Sequence, residues 1–232
     1  MTPLYLYILL ASLLVPLLFS VFFIDFIKHW KSFFLSTSIM AVIFLIWDAI
    51  FTAKGFWGFD KQYCIGMYLL KMPIEEWLFF YIIPFCSLFT HFAFFYKYPS
   101  VKLSKNLSIV LTVSLVLGSL ILSVTNYLKA YTLVDMLCLI ITLVLGLLFY
   151  LELLQQFYIS FLIILVPFFI VNGILTGMLT EVPVVWYNNT QNLGIRLSTI
   201  PVEDIGYAFS LLFGNLMLFE LLKKKINYGN KI

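Results

Sequence analysis

Polar positions thin out along the chain into seven long apolar stretches, near residues 4–24, 33–51, 75–96, 107–126, 132–150, 157–179 and 203–222. Each approaches about 20 residues, the length a helix needs to span the hydrocarbon core of a bilayer. The apolar residues run continuously, without the alternation of barrel strands, so helices are predicted throughout. The first stretch lacks a basic leader and a small-residue cleavage site, and is expected to remain as a helix. The expected fold is an all-α integral membrane protein with about seven transmembrane helices.

Composition points the same way. Of 232 residues, 63% are hydrophobic and 11% are charged, whereas a soluble domain carries roughly a quarter charged residues. The net charge of +3 lies between the stretches and calls for no nucleic-acid partner. Cys64, Cys86 and Cys138 are odd in number and lack the spacing of a disulfide framework or a zinc site. His29 and His91 are too few for a histidine-rich di-iron centre, and no glycine fingerprint for a dinucleotide occurs. The seventh stretch holds no lysine for a retinal Schiff base. No cofactor and no metal is therefore expected, which leaves acid–base chemistry or none.

Seven spans place the connections alternately on two sides. Nine lysines, from Lys28 to Lys231, fall on one side; Lys54, Lys61, Lys71, Lys129 and Arg196 fall on the other. The excess predicts a cytoplasmic C-terminus and an outside N-terminus in the cytoplasmic (inner) membrane. Carboxylates divide the opposite way. Asp48, Asp60, Glu75, Glu76, Asp135, Glu181, Glu203 and Asp204 share one side, against Asp25, Glu152 and Glu220.

An internal repeat underlies this pattern. GMYLLKMPIEE at 66–76 aligns with GIRLSTIPVED at 194–204 at an offset of 128, matching Gly66 with Gly194, Pro73 with Pro201 and Glu75 with Glu203. Two connections of equal length, 52–74 and 180–202, precede the motifs. The predicted organisation is a 3+1+3 parallel repeat: a first three-helix repeat over 1–100, a connecting helix over 101–130 and a second three-helix repeat over 131–232. A single connecting helix gives both halves one orientation, so both motifs face one side.

A lone Pro-x-Glu-acid motif is a good helix start, with proline at the first helical position and acids in the first turn. Two copies at one spacing, each leading into a span, favour function, because ionisable groups at membrane depth are usually functional. Neighbouring side chains point about 100° apart on a helix, so one acid of each pair is expected to face a cavity. Glu75 and Glu203, identical between the halves, are the first candidates, with Glu76, Asp204 and Asp48 as base or relay. Asn172 occupies the region of the sixth stretch that corresponds to Asp48. Trp77, Trp47 and Trp57 are candidate aromatic walls for a cationic species. Gly66, Gly194, Pro73 and Pro201 are read as structural members of the motif.

PIEEWLFF at 73–80, PVED at 201–204 and the 3+1+3 arrangement resemble the cofactor-independent integral membrane lycopene cyclases, the heterodimeric type in its fused single-chain form. The second motif continues IGYAF rather than WLFF, so the halves have diverged. The resemblance implies acid-initiated, redox-neutral closure of the ψ end groups of lycopene to β-rings. It further implies a carotenoid entering from the bilayer, and contact with a second copy or with other carotenoid enzymes. A cyclase making γ- or ε-rings, one using other carotenoids, a 3+1+3 transporter of small solutes and an assembly protein remain as alternatives.

Overall fold

The computed structural model describes residues 3–22 and 26–229, with side chains through 226. Asp25, Lys231 and the end of the first predicted stretch lie outside the described residues. Among the described residues, seven helices are long and apolar enough to cross a membrane. They are α1 (Leu4–Phe22), α2 (Trp30–Lys54), α3 (Ile74–Lys97), α4 (Lys105–Thr125), α5 (Ala130–Phe149), α6 (Leu151–Leu175) and α7 (Glu203–Gly229). The order and number match the apolar stretches. The largest boundary differences are at the end of α7, which runs to Gly229 rather than 222, and at the start of α6, at Leu151 rather than 157. There Glu152, Gln155 and Gln156 interrupt the apolar run without stopping the helix.

Both long connections fold into short strands. These are β1 (Trp57–Phe59), β2 (Tyr68–Leu69), β3 (Met72–Pro73), β4 (Val185–Tyr187), β5 (Arg196–Leu197) and β6 (Ile200–Pro201). β2 pairs with β3, and β5 with β6, as hairpins related by the offset of the sequence repeat. From sequence, each proline is expected at the first helical position. The structure instead places Pro73 and Pro201 at the ends of β3 and β6, with Pro73 in an extended conformation as the N-cap of α3. A proline lacks the N–H a ladder would use, so it suits the last residue of a short edge strand. Gly66 (φ +90°) and Gly194 (φ +74°) lead into the hairpins in left-handed conformations that residues with a Cβ rarely adopt.

β1 pairs antiparallel with β4, with Trp57 opposite Tyr187, Gly58 opposite Trp186 and Phe59 opposite Val185. Under the repeat offset, each strand is the counterpart of the other, and Gly58 lies opposite its own counterpart. A Cβ on Gly58 would run into the Trp186 ring, so glycine lets the two strands meet at their midpoint.

The helices also pack in matching pairs: α1 on α3 as α5 on α7, and α2 on α7 as α6 on α3. α7 is central, with 67% of its apolar window buried against 17% for α1. One half of the bundle holds a phenylalanine-rich core that includes Phe26, Phe33, Phe85, Phe157, Phe213 and Phe219. In lipid such a core gains from close packing more than from leaving water. Edge-on ring pairs such as Phe33–Phe85, 5.5 Å apart, contribute about 0.5–1.5 kcal/mol each beyond area burial. The acids gather at the opposite ends of these helices.

Candidate active site

The first turns of α3 and α7 divide each acid pair between two jobs. Glu75 is fully buried, and its Oε1 accepts the backbone N–H of Ile65 at 2.6 Å. Glu203, its counterpart in the second half and also fully buried, accepts the N–H of Leu193 at 2.7 Å. A second donor, the Thr132 hydroxyl, reaches the same Glu203 oxygen at 2.7 Å. Each glutamate thus ties its loop back onto the helix start through a carboxyl oxygen. Its neighbour, a third of a turn round the helix, points elsewhere. Glu76 and Asp204 both open into a cavity of about 320 Å³, and Asp48, from the C-terminal part of α2, joins them.

The cavity lining includes Glu76 and Asp204 but neither Glu75 nor Glu203. The expectation that Glu75 and Glu203 face the cavity is therefore reversed in geometry. The identical residues hold the loops, and the residues that differ face the interior. Identity between the halves reported the backbone contact that both must make.

Each cavity acid has its own donors. Tyr5 Oη donates to Glu76 Oε2 at 2.6 Å. Asp204 accepts from Tyr131 Oη on Oδ1 at 2.5 Å and from Tyr187 Oη on Oδ2 at 3.0 Å. The Trp57 indole N–H donates to Asp48 Oδ1 at 2.5 Å, and Thr52 Oγ1 to the same oxygen at 3.3 Å. Among the described residues, Asp48 Oδ2 is buried without a hydrogen-bond partner, within electrostatic reach of Glu76. Burial, then the Asp204 carboxyl, hold the Tyr187 phenol well above its usual range, so it stays a proton donor.

Away from the acids the wall is mostly apolar and aromatic, with Phe59, Phe79, Phe168 and Tyr207 among the lining residues, a few polar side chains such as Ser87 and Thr90 and, among the described residues, no lysine, arginine or histidine. Ring faces of this kind attract a cation, most strongly where water is excluded. Among the described residues, no group of three or more His, Cys, Asp and Glu side chains is arranged to hold a metal ion.

The other sequence candidates divide. Trp57 and Asn172 line the cavity. Trp47 does not; it packs behind the wall, 4.9 Å from the Tyr207 ring and 6.3 Å from that of Trp57. Trp77 lies outside as well, its Nε1 3.4 Å from the Leu69 carbonyl. Arg196 hydrogen-bonds neither motif acid; it bonds Thr199 O and Asn189 Oδ1 and lies within electrostatic reach of Asp204. Asp135 is fully buried against Gly206. By the repeat offset the counterpart of Asp48 is Thr176, which also lines the cavity, one helical turn after Asn172.

Sequence reasoning missed Tyr5, Tyr131 and Tyr207. Tyr5 and Tyr131 each lie in the first turn of the helix that packs on the acid-bearing helix, at α1 and α5. A tyrosine opening each half is the signal that was available, although the separation of these two falls just short of the repeat offset.

No curated protein and no solved structure matches the chain. The sequence profile described as Lycopene cyclase matches twice, over residues 2–95 and 127–222, passing over the segment that contains α4. The matched segments carry both motifs, all three cavity acids and the tyrosines that hold Glu76 and Asp204. Together they make up most of the chain, and the chain belongs to the lycopene cyclase family.

Proposed function

We propose that this chain closes the linear ψ end groups of lycopene into β-rings, giving β-carotene, by proton transfer alone and without a cofactor. The observation that carries the reading is the convergence of Glu76, Asp204 and Asp48 on one apolar, aromatic-walled cavity. Carboxylic acids there can deliver a proton, and rings there can support the cation that results.

Glu76 is the proposed donor. Tyr5 holds its Oε2, which orients the carboxyl in the cavity beside Asp48. A proton added at C2 of the terminal double bond leaves a tertiary cation at C1. The C5=C6 bond attacks, C1 joins C6, and the charge passes to C5. Loss of the C6 proton restores C5=C6 as the ring double bond. One proton enters and one leaves, with no change in oxidation state. Asp204, with both oxygens already accepting from phenols, is the proposed base and anionic partner of the cation. Asp48 is the proposed relay that returns the proton towards Glu76. Protonating an alkene is hard for a carboxylic acid. Exclusion of water, a folded end group and preorganised charge supply the compensation.

The remaining expectations belong to the same reading. The chain is a 3+1+3 parallel repeat in the cytoplasmic membrane, N-terminus outside and C-terminus inside, and takes its carotenoid from the bilayer. Supporting the repeat are the two hairpins and the two glutamate–loop bonds, each recurring at the same offset. The test is pigment analysis after expression in a lycopene-accumulating bacterial host. β-Carotene, with the monocyclic γ-carotene, is the expected product. ε-Rings would reassign the base, and unchanged lycopene with the protein present in the membrane would end the reading.

A further inference from the structure

The cavity is not shared evenly between the halves. One flank is carved from α1 and α6, where Ser12, Pro16, Phe168, Asn172 and Leu175 line it. On α2 the repeat counterparts of the last three are Met40, Phe44 and Trp47, and none of these lines the cavity. They form a solid plug. Phe44 is 1% exposed, with its ring 5.5 Å from Trp47 and 5.1 Å from Tyr207. The Met40 methyl stands 2.7 Å from where a Cβ on Gly214 would be. Gly214 is the counterpart of Cys86, which lines the cavity. Ser12 and Pro16 likewise correspond to Ile140 and Val144 on α5, which do not.

Two alike halves would carve two cavities, one on each flank. Among the described residues one flank is hollow and the other is filled, yet an acid from each half opens into the hollow one. Asn172 and Leu175 keep it open where the larger Phe44 and Trp47 close the opposite flank.

We propose that the chain holds a single end-group site, on the α1–α6 flank, so that the two ends of one polyene are cyclised in succession. The half-closed carotenoid leaves, reverses and rebinds by its other end. This rests on the cyclase reading above. Asn172 and Leu175 set the width of the site, and Glu76 and Asp204 are two parts of one centre rather than the acids of two.

The experiment uses the purified chain in nanodiscs, with lycopene in excess over protein. Free monocyclic carotenoid is expected to exceed one equivalent per chain before bicyclic product rises. Leu175→Trp, which fills the site, is expected to slow the first and the second closure together, by about tenfold or more for so strong an overpacking. Leu175→Phe, a smaller intrusion, should slow both by one common factor, and it stands in should the tryptophan variant fail to fold. Bicyclic product formed without free monocyclic carotenoid would overturn the single site. So would a folded Leu175→Trp chain that keeps half or more of its cyclisation, because a second site would then be working. Lycopene left unchanged by the unaltered chain is a different result and would overturn the cyclase reading itself.

Discussion

Tyr5 donates its phenolic proton to Glu76 at 2.6 Å, joining the first turn of α1 to the first turn of α3 across 71 positions of sequence. The bond aims the acid, and it gives the two residues separable phenotypes. Glu76→Gln keeps the shape of the side chain and removes the transferable proton, so cyclisation should fall by about a hundredfold or more, the scale of general acid catalysis. Tyr5→Phe keeps the acid and frees its orientation. The loss of about 1–3 kcal/mol expected for an orphaned buried partner corresponds to about 5- to 150-fold in rate. Initial rates in nanodiscs measure both, and a Tyr5→Phe rate as low as that of Glu76→Gln would mean the tyrosine does more than orient.

Glu75 and Glu203 should behave differently from their neighbours. Their oxygens accept loop N–H groups, and a glutamine oxygen can do the same with a weaker bond. Glu75→Gln and Glu203→Gln are expected to lower thermal stability by about 1 kcal/mol, the scale of one altered buried hydrogen bond. The folded fraction should keep its activity. Asp204→Asn, by contrast, should fold and fail to cyclise. Melting curves in detergent beside rates per folded chain separate the cases; an inactive, well-folded Glu75→Gln chain would return the acid role to that residue.

Gly206 makes room for Asp135. A Cβ at 206 would stand 2.6 Å from Asp135 Oδ2, a carboxyl already buried with no hydrogen-bond partner on either oxygen. Gly206→Ala should therefore destabilise the chain by about 1–3 kcal/mol through overpacking. Adding Asp135→Ser should recover most of it, because the shorter side chain vacates the space. The double-mutant cycle measures the coupling directly.

The β2–β3 hairpin turns through Leu70 (φ +52°) and Lys71 (φ +66°), two non-glycine residues in the left-handed region. A two-residue turn with both φ values positive favours Asn-Gly. Lys71→Gly is expected to relieve strain and stabilise by about 0.5–1 kcal/mol, against the entropy that glycine adds to the unfolded chain. A higher melting temperature without change in rate is the expected outcome.

Cys64 offers a pH test in the same loop. Burial first, then the Glu75 carboxyl, push its thiol up to about 12, from an ordinary value of about 8.5. The folded chain therefore holds this proton more tightly than the unfolded one. That contribution to stability is complete below the ordinary thiol range and is lost as pH rises towards 12. Alkylation of Cys64, followed by mass spectrometry, should stay slow at about pH 9, where an ordinary thiol is largely ionised. Rapid labelling in the folded state would contradict the burial.

The spans and the acid motifs were legible because lipid imposes length and apolarity directly on sequence. The side of the helix that each acid faces was not. Glu75 and Glu76 are consecutive, and the loop N–H of Ile65 on one and the Tyr5 hydroxyl on the other decide which turns away. Equality between the halves pointed to Glu75 and Glu203 because a backbone contact repeats wherever the loop repeats. The strands escaped notice because two- and three-residue pairs carry no alternation to read. Tyr5 and Tyr131 look like ordinary interfacial aromatics until helix packing brings their hydroxyls to Glu76 and Asp204.

The pairing of β1 with β4 also imposes a schedule on biosynthesis. Trp57, Gly58 and Phe59 leave the ribosome long before Tyr187, Trp186 and Val185 exist to meet them. During that interval the backbone groups of β1 have no strand partner, and the indole that grips Asp48 stands on an unpaired segment. The roof over the acids therefore closes late, after six of the seven spans have been made. A chain stalled before residue 185 can insert those six helices and still lack the strand that completes the cavity lining.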